Sequence, residues 1–162
     1  MVFRLSDDAK KYFSKLDERV ADTKLDLIMF DKYYACLMLG LKRYSIAPTP
    51  DSIGKLGEPF LANDAGYPGP YKGIGDMVAG LLIEAELKRK KIGYKDREEI
   101  ETQTTSLLEP HSPVRLSEQG IKLLNRYAAK GFEIIREESL GAPRSILEFL
   151  MSYKALMAKN EG

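Results

Sequence analysis

The sequence predicts a mainly α protein, a compact single-domain bundle of five to six helices, and three observations lead to this fold class. Apolar residues recur at helical spacing through most of the chain, and no long segment alternates strictly as a half-buried strand does. The composition, 44% hydrophobic and 30% charged over 162 residues, is typical of a chain with one sizeable core. No low-complexity segment or clear linker divides the sequence, so residues 1–162 are expected to form one helical domain.

Each predicted helix has a recognisable start or an apolar stripe. Ser6 and Ser117 are the expected N-caps of helices 1 and 5, and Asp7 and Asp8 suit the positive end of the first helix dipole. Helix 2 is apolar almost all round, which predicts a central core helix. The predicted bounds are Asp7–Val20 for helix 1, Lys24–Lys42 for helix 2, Ile74–Lys91 for helix 3, Arg97–Leu108 for helix 4, Glu118–Glu138 for helix 5 and Arg144–Lys159 for helix 6.

A Gly/Pro-rich loop at about residues 47–73 separates helices 2 and 3, and loops of such length are usually functional or mobile. On a helical wheel of about 100° per residue, helix 3 has one inner face and one outer face. Its inner face is predicted to contain Ile74, Met77, Val78, Leu81, Leu82 and Ala85, with Asp76, Glu86 and Lys90 pointing away.

The segments that begin at Phe3 and Val114 both read apolar-Arg-Leu-Ser-acidic. Two independent helix starts explain this repetition, because capping chemistry accounts for the serines and the acids. The alternative is a winged-helix arrangement in which each segment is a short strand that leads into a capped helix. No clear wing hairpin precedes the second segment, so capping is the favoured interpretation.

Charge, cysteine and histidine counts exclude several function classes. The 25 Lys and Arg residues balance 24 Asp and Glu residues, so a histone-like global positive field is excluded. The single cysteine, Cys36, rules out a disulfide framework and is expected to be a small buried hydrophobe. The single histidine, His111, has no triad partner at motif spacing. The longest uncharged run, residues 33–41, is too short for a bilayer, so a cytoplasmic protein without a membrane partner is expected.

Local basic clustering is the first candidate binding feature. Four successive cations end helix 3, and Lys95 and Arg97 follow them. Such cations can position DNA through its phosphates without reading its sequence. The alternative is a solvated helix end whose cations complement the dipole. The predicted nucleic-acid contacts are Lys42, Arg43, Lys72, Lys88, Arg89, Lys90 and Lys91.

The loop before helix 3, residues 66–76, is a second candidate. Its glycines would let backbone N–H groups approach a phosphate at the helix N-terminus, but no Walker A spacing is present. Tyr67 and Tyr71 could stack on a base, although aromatic residues in such loops more often pack onto the core.

Carboxylates are the third candidate, because a metal-dependent nuclease needs several of them around Mg²⁺ or a similar cation. Glu84, Glu86 and Lys88 superficially match the acidic-x-Lys end of a restriction-enzyme site. That motif requires a strand, whereas on a helix Glu84 and Glu86 point about 160° apart. A magnesium site would therefore need carboxylates from outside helix 3, such as Asp31, Glu58 or Asp64. The full candidate set adds the helix 3 acids and is Asp31, Glu58, Asp64, Asp76, Glu84 and Glu86.

A family resemblance is carried by three segments, FDKYYACLMLG (30–40), AELKR (85–89) and LSEQGIKLLNRYAAKGF (116–132). Together they resemble small accessory proteins encoded with bacterial DNA phosphorothioation (DNA sulfur-modification) and related restriction-type defence systems. The resemblance implies a helical DNA-associated protein that works beside a cysteine desulfurase and an ATPase. In the single-strand branch of these systems it also implies a component that nicks DNA with a divalent metal. It assigns no catalytic residue to a position in this chain.

Two main hypotheses follow from the sequence. The favoured one is a DNA-binding accessory component of such a modification or restriction system, with metal-dependent nicking as an activity to test. The rival is a non-catalytic helical adaptor that makes protein–protein contacts, which the near-neutral charge favours. A phosphate-ligand binder that uses the loop before helix 3 is a third interpretation.

Overall fold

Six α-helices contain most of the residues that the computed structural model describes, which are 3–16, 27–48, 67–112 and 115–159. The mainly α fold class is confirmed, as a compact six-helix arrangement. The helices are α1 (Asp7–Tyr12), α2 (Met29–Lys42), α3 (Gly75–Arg89), α4 (Arg97–Leu107), α5 (Glu118–Glu138) and α6 (Ile146–Ala158). None of these helices is both long enough and apolar enough to cross a membrane.

The central element is the pair α2 and α5, which make the most extensive contact between any two helices in the described residues. Two glycines allow the helix backbones to touch. A Cβ atom on Gly131 would lie 1.7 Å from the Cys36 carbonyl oxygen, and one on Gly40 would lie 2.0 Å from the Tyr127 carbonyl oxygen. Because no side chain fits at either position, the close approach depends on both glycines.

Serine side chains begin three of the helices. Ser6 Oγ accepts the Ala9 N–H and Ser117 Oγ accepts the Gly120 N–H, both at 3.1 Å. Both predicted N-caps are therefore confirmed. Ser145 Oγ accepts the Glu148 N–H at 3.1 Å, so α6 begins after Ser145 rather than at Arg144.

Helices α1 and α2 differ most from prediction, whereas the bounds of α3, the end of α4 and the end of α6 differ by only one or two residues. α2 begins at Met29 rather than near Lys24, because Asp31 reaches back and accepts the Ile28 N–H at 2.7 Å. The apolar run before Met29 obscured this start. α1 is assigned as Asp7–Tyr12, and the rest of the predicted helix after residue 16 lies outside the described residues. Most of the Gly/Pro-rich loop, residues 49–66, lies outside them as well.

The winged-helix alternative gains no support from the segment that precedes α5. Leu116 forms an isolated antiparallel bridge with Leu108, and the Ser117 N–H donates to the Leu107 carbonyl oxygen at 2.8 Å. This bridge joins the end of α4 to the start of α5. The pairing is too short to be a strand of a wing.

Candidate functional site: a basic helix end and an apolar helix face

A buried carboxylate organises the end of α3. Glu86 is 2% exposed, and its two carboxylate oxygens accept hydrogen bonds from the Arg89 guanidinium at 2.7 and 2.8 Å. The Tyr127 hydroxyl of α5 donates to Glu86 Oε1 at 2.7 Å, and Lys90 Nζ lies 3.8 Å from Oε2. Glu86 therefore links α3 to α5 with its charge paired and hydrogen-bonded.

Opposing effects act on the pKa of the Glu86 carboxyl group. Burial raises the pKa, because a carboxylate removed from water is less stable in its charged form. Hydrogen bonds from Arg89 and Tyr127, together with the charges of Arg89 and Lys90, outweigh burial and hold the pKa below its usual range. Glu86 is therefore ionised at neutral pH.

The helical wheel gave the wrong orientation for two residues of α3. Met77, predicted to face inward, is 44% exposed, and Glu86, predicted to face outward, is buried. The wheel assumes one apolar face, whereas α3 contacts both α2 and α4 and receives a hydrogen bond from α5. Glu84 is exposed, so the predicted divergence of Glu84 and Glu86 is confirmed.

Exposed cations gather around the turn between α3 and α4. We call this set the basic turn, and it consists of Lys88, Lys91, Lys95 and Arg97. Lys91 has a φ of +58° and closes α3: the Ile92 N–H donates to the Leu87 carbonyl oxygen at 2.9 Å, and the Lys91 N–H donates to the Lys88 carbonyl oxygen at 3.1 Å. These two hydrogen bonds close the C-terminal end of α3.

Nearby acidic residues offset part of the positive charge of the basic turn. Exposed acids follow immediately at the start of α4, namely Asp96, Glu98, Glu99 and Glu101. Two of the predicted DNA-contacting cations are also engaged by neighbouring side chains. Arg89 is held by Glu86, and the Lys90 ammonium donates to Gln103 Oε1 at 2.5 Å. The local field is therefore mixed in sign rather than strongly positive.

Lys42 and Arg43, also predicted to contact DNA, face the end of α6. The Lys42 ammonium donates to the Met157 carbonyl oxygen, and Arg43 Nη2 donates to the Leu156 carbonyl oxygen at 3.2 Å. Carbonyl groups in a last helical turn lack the usual N–H partner four residues on. The two cations donate to these groups, and the Leu156 carbonyl oxygen also accepts the Lys159 N–H at 3.3 Å. Arg43 is only 8% exposed and is an interior residue, not the surface contact that the sequence suggested.

The carboxylates considered for a metal are dispersed in the described residues. The Asp31 carboxylate accepts the Ile28 N–H and the Tyr71 hydroxyl, while Asp76 and Glu84 are exposed. Glu58 and Asp64 lie outside the described residues. Within the described ranges, no three His, Cys, Asp or Glu side chains gather as a metal site would require. The magnesium expectation stays a prediction.

The two loop tyrosines pack onto the core. The Tyr71 and Phe30 ring centroids are 4.6 Å apart, and the Tyr67 and Phe3 centroids are 5.4 Å apart. Burial raises the pKa of Tyr67 to about 12. The packing interpretation of these tyrosines is confirmed, and Lys72, which follows them, is exposed.

The single thiol and the single imidazole are in different environments. Cys36 is fully buried in α2, and burial raises the pKa of its thiol well above the usual range. A thiol kept neutral in this way is a poor nucleophile. The prediction of a small buried hydrophobe is therefore confirmed. His111 is exposed in the segment between α4 and α5.

The outward side of α6 exposes large apolar side chains. Leu147 is 69% exposed, Leu150 52% and Met151 67%, and these residues follow i, i+3 and i+4 spacing. The opposite side of α6 packs Phe149, Tyr153 and Leu156 against the core. We call Leu147, Leu150 and Met151 the outer face of α6.

A pocket of about 290 Å³ lies between the end of α5 and α6. Apolar side chains supply part of its lining, among them Ile135, Leu140 and Phe149. Leu140, in the turn before α6, is fully exposed. Glu138, Glu148 and Lys159 also line the pocket, which lies on a different side of α6 from its outer face.

Comparisons with protein-family models, with curated proteins and with solved structures found no match to this chain.

The outer face of α6 was not identified among the sites predicted from the sequence. The sequence pattern that could have indicated this face is a helix with apolar residues on two opposite sides. The same pattern is typical of a fully buried helix. Only the position of α6 in the bundle distinguishes the two cases, because no described helix covers its outward side.

Proposed function

We propose that this protein is a non-catalytic helical adaptor whose outer face of α6 docks a protein partner. The observation that carries the proposal is the exposure of Leu147, Leu150 and Met151 on one side of a single helix. Contiguous apolar surface of this kind marks interaction sites, because water contact with it is unfavourable. Full burial of one such side chain contributes about 1.5–3 kcal/mol, so three side chains could supply much of a moderate affinity.

The anchoring of α6 supports a role as a preformed surface. Tyr153 donates its hydroxyl to the Ala35 carbonyl oxygen at 2.8 Å, and Arg43 holds the Leu156 carbonyl oxygen. The Ser139 and Ser152 hydroxyls are hydrogen-bonded at 3.0 Å, which ties the end of α5 to α6. A partner would therefore bind a helix that is already ordered, which lowers the entropic cost of association.

Site-specific photo-cross-linking tests this proposal. A photoreactive phenylalanine derivative replaces Met151 in the full chain, in the cells that produce the protein. The control replaces Tyr94, which is 76% exposed on the turn between α3 and α4. We expect a discrete cross-linked protein from position 151 and not from position 94. Equal or absent adducts at both positions would contradict the docking role of α6.

DNA binding is the second candidate function, and the exposed basic turn favours it. Lys72 and the basic turn could contact phosphates without a base-specific contact. With this second function, the protein would be a DNA-associated accessory component of a phosphorothioation or restriction system. Its protein partners would then be other components of that system. This second function includes metal-dependent nicking, for which carboxylates considered above would have to bind Mg²⁺.

A salt titration of DNA affinity tests the second candidate. The change Lys88→Ala with Lys91→Ala should weaken binding to all sequences about equally and reduce the salt dependence by roughly one charge per lysine. Lys122→Ala is the matched control, since Lys122 is exposed on α5 and pairs with Glu118. Supercoiled plasmid incubated with Mg²⁺ or Mn²⁺ reports nicking in the same preparation. Binding that is unchanged by the double substitution would exclude the basic turn.

A further inference from the structure

A lysine that has no ion pair among the described residues lies next to the outer face of α6. Lys154 is exposed, and on a helical wheel it falls about 20° from Leu147 and about 60° from Met151. An ammonium group at the C-terminal end of an apolar face opposes docking of a purely apolar partner, because the charge would lose its hydration. A suitable partner must therefore place an acidic group near Lys154.

We propose that the partner is a second copy of this chain, packed antiparallel along α6 with the two-fold axis near Met151. The inference rests on the proposed function, because it names the partner of the same face. Lys154 lies three residues after Met151, and Glu148 lies three residues before it. An antiparallel copy therefore brings each Lys154 level with Glu148 of the other chain, and symmetry repeats this ion pair.

Glu148 is available for such a contact. Its side chain is 45% exposed, and its carboxylate accepts the Arg144 N–H at 3.1 Å from the preceding turn. Arg144 Nε lies 3.8 Å away and is itself 74% exposed, so this surface ion pair leaves the carboxylate open to a second cation. A parallel arrangement would instead place Lys154 beside Lys154 of the other copy, and the like charges would repel.

Side-chain size also fits the antiparallel arrangement. Positions that are equally far from Met151 face each other, so Leu147 lies opposite Ala155 of the other copy. A large side chain then meets a small one on both sides of the axis, which allows the helices to approach. Leu150 and Met151 of the two copies form the centre of the contact.

Sedimentation equilibrium of the full chain over a range of concentrations tests the proposal. We expect a concentration-dependent species of twice the 18.2 kDa chain mass. Lys154→Glu places two acidic groups together at each end of the contact and should raise the dimer dissociation constant at least tenfold. Lys122→Glu, at an exposed lysine near the start of α5, is the control and should leave the dissociation constant unchanged.

Charge exchange tests the antiparallel pairing itself. Glu148→Lys alone should also weaken the dimer, whereas an equimolar mixture of the Glu148→Lys and Lys154→Glu chains should restore association, because every facing pair is then opposite in charge. Since Glu148→Lys also loses the contact with the Arg144 N–H, circular dichroism of each variant checks that the helices remain formed.

The outcomes separate this inference from the proposed function. A wild-type monomer at every concentration, together with a cross-link from position 151 to a different protein, overturns the second copy and leaves the adaptor proposal standing. A monomer without any cross-link overturns both. A dimer that Lys154→Glu does not weaken, or that the mixture does not restore, places the dimer contact elsewhere and overturns the inference.

Discussion

At the scale of single residues, Glu86 shows how a charged side chain becomes part of a core. Sequence spacing could not place it inside, because its partner Tyr127 lies 41 residues further along the chain. Arg89 is only three residues away, and helical geometry brings it to the same carboxylate. The contact between Glu86 and Arg89 could be predicted from the sequence, whereas the contact between Glu86 and Tyr127 follows only from the fold.

Removal of the Tyr127 hydroxyl should destabilise the protein. Tyr127→Phe deletes a hydrogen bond to a buried carboxylate, and a hydrogen bond to a charged group contributes about 1.5–3 kcal/mol. We expect the free energy of unfolding, measured by urea denaturation, to fall by that amount. Tyr94→Phe is the matched control, because Tyr94 is 76% exposed. Equal stability of the two variants would show that the Glu86 to Tyr127 hydrogen bond contributes nothing.

The lowered pKa of Glu86 predicts a pH dependence of stability with a definite sign. A carboxyl group whose pKa is lower in the folded than in the unfolded state stabilises the fold above its unfolded pKa, here near 4.5. That contribution is lost as the pH falls through the folded pKa. In Glu86→Gln, the free energy of unfolding should therefore change less between pH 6 and pH 3 than in the wild type. An identical slope in both proteins would contradict the assigned ion pair.

At the scale of secondary-structure elements, boundaries were predicted well where a cap is local. The bounds of α5 agree with prediction at Glu118 and Glu138, because Ser117 caps the helix and the apolar stripe is regular. The start of α2 was placed too early, since its N-terminal hydrogen bond comes from Asp31 inside the helix and apolar residues precede it. Periodicity alone could not separate helix from extended chain at that point.

The close contact between α2 and α5 predicts opposite effects of alanine at two helical glycines, one inside this contact and one outside it. Gly131→Ala places a methyl group 1.7 Å from the Cys36 carbonyl oxygen, so α2 and α5 must move apart. We expect a loss of about 3 kcal/mol or more in the free energy of unfolding. Gly80→Ala in α3 meets no atom within 4 Å and should gain about 0.5–1 kcal/mol from higher helix propensity.

Thermal unfolding of the two alanine variants is a direct comparison, because both changes add one methyl group to a helix. The melting temperature should fall for Gly131→Ala and rise for Gly80→Ala. Two shifts of the same sign would show that backbone proximity between α2 and α5 is not what makes Gly131 necessary.

At the scale of the whole molecule, the candidate sites depend on which helix sides remain uncovered. The exposure of Lys88 and Lys91 agrees with the run of cations in the sequence, whereas the burial of Arg43 depends on the position of α6. The outer face of α6 could not be separated from a core face by pattern, because both are apolar. The local sequence was therefore enough to predict where the helices lie. Which side of a helix stays exposed depends on the packing of the whole fold.

Methionine methyl NMR with a soluble paramagnetic probe tests whether the outer face of α6 is a docking surface. Met151 lies on that face, and Met77, 44% exposed on α3, serves as the internal control. In dilute protein, the probe should broaden both methyl signals. At high protein concentration or in an extract of the producing cells, Met151 should become protected while Met77 remains accessible. If Met151 is as accessible as Met77 under every condition, the outer face of α6 is not a docking surface.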